Sequence, residues 1–261
     1  MEQDYELHEP EPKAAGRAAR IPYVLLWLFG ALVLATGALL RVLPLSNGIR
    51  VMLLATFGVG LLTLLAFVVR RFVDHPGMLY PSFFILALFV TWMILGNKPY
   101  DTPALRAGYV KRLEAQKGTR YMAGGETDLG IDESGLARSA LWQAMVIEGI
   151  REVNPRFLSM EFWRFWWRDV DTSAIVSGRY GYTCKVLDVD RLAGYDSFAL
   201  EPGDIAVTSD SERLLIYLGK QRWIEADPRE SKVLVRKATP QNPAKSLNTP
   251  VTIYRWWVFA R

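Results

Sequence analysis

Three uncharged apolar runs between residues 21 and 97 constrain this chain more than any other feature. Ile21 to Leu40, Val51 to Val69 and Tyr80 to Gly96 contain no Asp, Glu, Lys, Arg or His. At 1.5 Å rise per residue, roughly 20 residues cross a hydrocarbon core of about 30 Å. Tyr23, Tyr80 and Trp92 stand near run ends, where aromatic rings favour the water interface. The runs predict a three-helix transmembrane anchor over 21–97. Buried helices of a large soluble core are the competing reading. Charges confined to the breaks "RVLPLSNGIR" and "RRFVDHPGML" weigh against it. Residues 1–20 are polar, with a Glu-Pro-Glu-Pro-Lys stretch. That composition predicts a disordered tail, too acidic and too long for the short basic start of a signal peptide.

Orientation follows from the flanking cations. Lys13, Arg17, Arg20, Arg70 and Arg71 fall on one side, against Arg41 and Arg50 on the other. Five to two places the N-terminus in the cytoplasm and everything after Gly96 outside, in a periplasmic or extracellular setting. Lys98, Arg106, Lys111 and Arg112, just after the third run, pull the other way. With no ionisable group inside the runs, they lack the usual mark of an ion or proton pathway. They predict an anchor.

The formal charge of +4 is too small to imply nucleic acid, and no basic patch with interleaved aromatics supports it. Cys184 is the only cysteine, so no disulfide within the chain and no multi-thiol metal site can form. The two histidines are His8 and His75. His75, beside Asp74 and Pro76, reads as a solvated loop histidine. No cofactor signature is present.

Residues 98–261 are enough for one compact domain. "DTPALRAGYVKRLEAQKG" predicts a helix with Thr102 as cap, Pro103 in its first turn, Leu105, Tyr109 and Leu113 on one face, and Gly118 as stop. A loop, "TRYMAGGETDLGIDESG", follows. "SGLARSALWQAMVIEGI" is a second helix pattern, with Leu136, Ala140, Leu141, Ala144, Met145 and Ile147 apolar. "NPRFLSMEFWRFWWRDV" is unusually aromatic. It predicts a helix packed in the domain core through a stripe of Met160, Trp163 and Trp167; an interfacial helix on a bilayer is the alternative. Strand signals come next: "CKVLDVD", "EPGDIAVTS", the hairpin "RLLIYLGKQRWIEAD" turning at Gly219-Lys220-Gln221, "KVLVRKA" and "VTIYRWWVFAR". Helices first and antiparallel strands after is an α+β order.

In this order the pieces resemble the NlpC-type cell-wall peptidases, a small papain-like fold. In that family "GTPYxxGG…DCSG" carries the nucleophilic cysteine at a helix start. "PGDLVFF", then "HVGIYLG" with the base histidine, then "FIHA" with a third polar residue follow. Here the matching stretches are "GTRYMAGG" from Gly118, "GIDESGL" from Gly130, "LEPGDIAV" from Leu200, "RLLIYLG" from Arg213 and "WIEA" from Trp223. The resemblance covers roughly residues 105–228. It implies an NlpC-type α+β domain with an antiparallel sheet.

The departures fall on the chemical positions. Glu133 stands at the cysteine position, Arg213 at the base histidine and Glu225 at the third residue. Thiol attack needs a thiolate and a base to form it. Glutamate cannot replace the thiol in that transfer, and arginine stays protonated. With no histidine after residue 75, the domain assembles no Cys/His or Ser/His pair of its own. Ser134 reads as a helix cap rather than a nucleophile. If Glu133, Arg213 and Glu225 converge, the arginine sits between two carboxylates in a charge-assisted network. Asp132 and Tyr121 belong to the same neighbourhood.

These residues imply a catalytically silent relative that binds a cell-wall peptide, or a cell-envelope protein, through the former cleft. The second reading is a hydrolase using Glu133 and Glu225 as a carboxylate pair. Arg213 beside them weakens it by holding both ionised. A Ca²⁺ or Mg²⁺ site from Asp132, Glu133, Asp204 and Glu225 has no spacing that demands it. A purely structural assembly protein, with the apolar runs carrying the function, is a further class.

Overall fold

The computed structural model describes residues 79–260, together with Gly30, Met52, 55–63, Leu65, Ala66 and Gly77. The chain divides into two compact units, and the second takes in Tyr80–Arg261.

The transmembrane expectation fails among the described residues: no helix there is long and apolar enough to cross a membrane. The third apolar run forms helix α1, Leu79–Leu95, of 17 residues. At 1.5 Å per residue that is about 26 Å, short of a hydrocarbon core of about 30 Å. Its last turn is also committed to the domain. Trp92 donates through Nε1 to the Val153 carbonyl at 2.9 Å, and Gly96 lies so close to the Pro155 ring that a Cβ would fall 2.9 Å from it. The second run is helical at 55–63. The first run, apart from Gly30, lies outside the described residues, as do the tail, His8, His75 and the cations used for orientation. The three-span anchor, and with it placement as an integral membrane protein with an exoplasmic domain, is therefore not supported.

The rest of this unit is an α+β domain. Helix α2, Thr102–Ala115, buries Leu105, Tyr109 and Leu113. Its N-cap position is Asp101 rather than Thr102, with Pro103 in the first turn where its missing N–H costs nothing. The loop that follows carries a short antiparallel pair, β1 (Glu126–Thr127) and β2 (Gly130–Ile131). Helix α3, Glu133–Arg151, buries Leu136, Ala140, Leu141, Ala144 and Met145, while Ile147 faces outward at 38% exposure.

Helix α4, Met160–Trp167, reverses the expected stripe. Phe162 and Phe165 are buried, and Met160, Trp163 and Trp167 are exposed. Ser159 caps the helix through the Phe162 N–H, which sets its rotation. Phe165 then meets Tyr182, Trp256 and Trp257 with ring centroids 5.2, 5.6 and 5.0 Å away, inside the range where aromatic pairs attract. Helix α5, Thr172–Ser177, leads on to the sheet.

Six strands form one antiparallel sheet: β3 (Thr183–Val189), β4 (Ile205–Thr208), β5 (Leu214–Gly219), β6 (Arg222–Asp227), β7 (Lys232–Lys237) and β8 (Val251–Trp256), in the order β3-β8-β4-β5-β6-β7. The β5–β6 turn has Lys220 at φ 53° and Gln221 at φ 57°, as a two-residue hairpin turn with both central residues left-handed requires. Both sheet faces are covered. Ile205, Val207, Leu214, Ile216, Ile224 and Ala226 share one core with α2 and α3. Ala206, Leu215, Tyr217, Trp223, Val251 and Ile253 share a second core with Leu192, Leu200 and Leu247. Helix α6, Lys245–Asn248, supplies Leu247 to that second core. The alternation along β6 therefore puts Trp223, Glu225 and Asp227 on the α6 side.

A row of alternating charges at the end of the sheet

The start of α3 is built by close backbone approach. Asp132 is its N-cap: Oδ1 accepts from the Gly135 N–H at 2.6 Å and Oδ2 from the Gly124 N–H at 2.8 Å. Ser134 is not the cap; its hydroxyl donates to Asp132 Oδ1 at 3.2 Å. A Cβ on Gly135 would sit 2.1 Å from the Gly125 carbonyl oxygen, and one on Gly125 would sit 2.4 Å from that of Gly130. Only glycine allows the loop to fold this tightly over the helix start. Buried Arg138, one turn further along α3, pins the same loop by pairing with Glu126.

This frame presents Glu133 as the first residue of α3. Tyr121 donates its hydroxyl to Glu133 Oε2 at 3.3 Å. Arg213, just before β5, brings Nη1 to 3.7 Å from Glu133 Oε1 and 3.2 Å from Asp227 Oδ1. That nitrogen is buried and has no hydrogen bond to either carboxylate, so the attraction there is Coulombic. Asp227 Oδ2 accepts from Arg236 Nη2 at 2.7 Å. Arg236 Nε pairs with Glu225 Oε1, which also accepts from the Ser246 hydroxyl at 3.1 Å. The charges thus alternate in the order Glu133, Arg213, Asp227, Arg236, Glu225.

Of the sequence-derived positions, Glu133, Arg213, Tyr121 and Asp132 come together. Glu225 does not meet Arg213; Asp227 and Arg236 stand between them. Both were missed, although the period of two along β6 puts Asp227 on the same face as Glu225. Arg236 lies opposite Trp223 in the β6–β7 register, next to both carboxylates. Asp204 lies apart, at the other end of β4, completely buried and held by Arg255 at 2.7 and 2.8 Å. Among the described residues no group of three or more His, Cys, Asp or Glu is arranged to hold a metal. Cys184 is on edge strand β3, three strands from β5, or roughly 14 Å at the usual strand spacing.

The environments separate the carboxyl groups. Burial pushes Glu133 above its ordinary range, with Asp132 adding to the effect and Arg213 and Tyr121 only partly opposing it. Burial likewise raises Asp132 against its hydrogen bonds from Gly135, Gly124 and Ser134. The Tyr121 hydroxyl is pushed up to about 12 by burial and by Glu133. For Asp227, burial pushes upward too, but the Arg229 amide, Arg213 and Arg236 together hold it below its ordinary range. Arg213 thus touches one carboxyl group shifted up and another shifted down.

Next to this row lies a cavity of about 260 Å³. Its walls are the β4–β5 turn, the β6–β7 turn and the segment 242–249 around α6; Arg213, Asp227, Arg236 and Glu225 line it, and Glu133 and Tyr121 do not.

No family model matches this chain, and no curated protein matches it. Among solved structures it is similar to the P60 domain of an antigen from M. avium subspecies paratuberculosis, at 16% identity and a TM-score of 0.32, over 58% of this chain and 95% of that one. This is a weak similarity to an NlpC/P60-type domain, too low to carry family, activity or ligand.

Proposed function

We propose that the C-terminal unit is an NlpC-like domain that does not hydrolyse peptides and instead binds a charged peptide of cell-wall type beside the replaced catalytic positions. The supporting observation is the row from Glu133 to Glu225. At the position of the attacking group stands a carboxylate held by Tyr121 and Arg213. Where the base would accept a proton stands a guanidinium, which is already protonated and cannot take one up. The one thiol is at least about 14 Å away by strand count alone, and it lies at the opposite end of the sheet, beside Arg255. The helix start, the glycine turn and the hairpin persist without a nucleophile to present. Two or more charges in a row beside an open cavity suit a ligand carrying charges of its own.

The test is to titrate the purified full chain with cell-wall peptides while following both binding and cleavage. Binding without turnover is the expected result. Turnover by the wild-type chain, or no binding to any such peptide, sinks the proposal.

A second reading has one observation in its favour. Glu133 is shifted up and Asp227 down around the same guanidinium, the kind of split that distinguishes a general acid from a base. On this reading the domain hydrolyses a glycan with Glu133 as acid. Glycan hydrolysis that vanishes in Glu133→Gln supports it; absence of hydrolysis by the wild-type chain removes it.

A further inference from the structure

The cavity behind the charge row is a candidate for what the ligand's end occupies. Its floor is ionic and buried: Glu225 is 2% exposed, and it shares Arg236 with Asp227. Those floor charges already satisfy one another, so they exert little net pull on a ligand of a single sign. The rim is different. On the β6–β7 turn, Arg229 and Glu230 are exposed and make no ion pair among the described residues. On α6, Lys245 Nζ stands 3.8 Å from both Asp210 and Glu212, beyond hydrogen-bond distance. The rim therefore offers Arg229 and Glu230 with no ion pair and a Lys245 held only at long range, while Asp210 already accepts from the Thr208 hydroxyl and, at 3.1 Å, from the Glu212 N–H. Apolar lining is confined to Pro243 and Ala244, too little for a hydrophobic ligand. At about 260 Å³, the space lies below the ~300–1,000 Å³ of sites for drug-sized molecules. It suits something the size of one amino acid.

We infer that this cavity binds the zwitterionic α-end of an amino acid, either free or on a peptide residue joined through its side chain, which leaves its α-ammonium and α-carboxylate both unblocked. The ligand's carboxylate meets Arg229 and Lys245, and its ammonium meets the rim carboxylates. This rests on the proposed peptide-binding role and places the recognised group at the α6 cavity rather than at Glu133. A ligand carboxylate replaces the long contacts of Lys245 with short charge-assisted ones. An acid or an amine alone satisfies half of the rim and leaves like charges facing it.

Calorimetric titration of the full chain with alanine, acetate and methylammonium tests the idea. Alanine is expected to bind at least about tenfold more tightly than either single-charge probe. Arg229→Ala and Lys245→Ala should each weaken alanine at least about fivefold, while Arg222→Ala, on the far side of the β5–β6 hairpin, leaves it unchanged. Acetate or methylammonium binding as well as alanine overturns the inference, and so does no alanine binding at all. The two proposals separate cleanly. If a cell-wall peptide binds but Arg229→Ala and Lys245→Ala leave its affinity intact, the cavity assignment fails and the peptide-binding reading stands. If alanine binds as described and no cell-wall peptide does, the cavity stands and that reading fails.

Discussion

Replacing Arg236 by Met tests whether the charge row is a real unit of the fold. The guanidinium lies between Glu225, 2% exposed, and Asp227, whose side chain is 8% exposed. Methionine keeps most of the stem's volume and removes the charge, so two buried carboxylates lose a common partner. Breaking a buried pair from one side costs about 3–5 kcal/mol. The Ser246 hydroxyl still reaches Glu225, and the Arg229 amide and Arg213 still face Asp227. The loss therefore belongs near the lower end, about 3 kcal/mol. In urea, with a slope of about 2 kcal/mol per molar, the midpoint should fall by about 1.5 M. Tryptophan fluorescence of the full chain reads it out, since Trp223 lies on the same strand face.

A pH series gives the sign. Asp227 is held below its ordinary 3.8 in the folded chain. A carboxyl group with a depressed folded pKa contributes stability above its unfolded pKa and loses it as pH falls through the folded value. Without Arg236 part of that holding disappears, so the difference between variant and wild type should shrink on acidification below about pH 4. A double variant, Glu225→Gln with Arg236→Met, should show a coupling of at least about 1.5 kcal/mol. A midpoint shift under about 0.5 M, or additive single effects, would refute the reasoning.

Three further outcomes follow from the same geometry. Asp132→Ala removes the α3 cap and its bonds to Gly135 and Gly124; a stability loss of about 1–2 kcal/mol in urea is expected, and Ser134→Ala should cost less. Glu133→Gln carries a sign set by burial: a raised carboxyl destabilises the folded chain once pH exceeds its folded pKa. The variant should therefore be more stable than wild type at pH 7, with the gain lost below the ordinary 4.5; a less stable variant at pH 7 means Arg213 outweighs burial. On α4, Phe165→Ala should cost about 3–5 kcal/mol and Trp163→Ala less than 1 kcal/mol, measured by thermal unfolding; equal losses would put the helix in the rotation first read from its sequence.

The legible parts of the fold were those written in local periodicity and turn chemistry. Leu105, Tyr109 and Leu113 recur every four residues, and all three are fully buried on α2. The "LGKQRW" turn sits where a hairpin needs left-handed residues. Short apolar runs bounded by glycine, proline and aspartate became β4, β5 and β8. The misreadings came where periodicity allowed two answers. In "MEFWRFWW" more than one register is apolar, so the stripe of Met160, Trp163 and Trp167 was as good a pattern as Phe162 and Phe165. The Ser159 cap and the aromatic cluster of Tyr182, Trp256 and Trp257 chose between them, and Trp257 lies 92 positions beyond Phe165. The apolar run at 80–96 misled for a related reason. Hydropathy reports what a segment lacks, while helix length and the docking of Trp92 and Gly96 are set by the partner it meets.

The site shows the same limit in sharper form. Glu133, Arg213, Tyr121 and Asp132 were singled out by a resemblance, and the structure places them together. Glu225 was found for the same reason, yet it was given the wrong neighbour. A resemblance selects positions and says nothing about how the charges at them will pair. A histidine at 213 would be neutral or singly charged and could orient on one residue. An arginine there is a permanent cation with several donors, so burying it calls for more than one carboxylate. Glu133 is one of them, 3.7 Å from the guanidinium. Asp227 is the closer one, at 3.2 Å, and it also accepts from the Arg229 amide and from Arg236. Arg236 in turn pairs with Glu225, so each charge in the row is balanced by the next, across two strands. Charge balance at the end of β6 accounts for the order of the row. Its members could be inferred from sequence only by aligning β6 against β7 in register, where Arg236 falls opposite Trp223 and within reach of both acids.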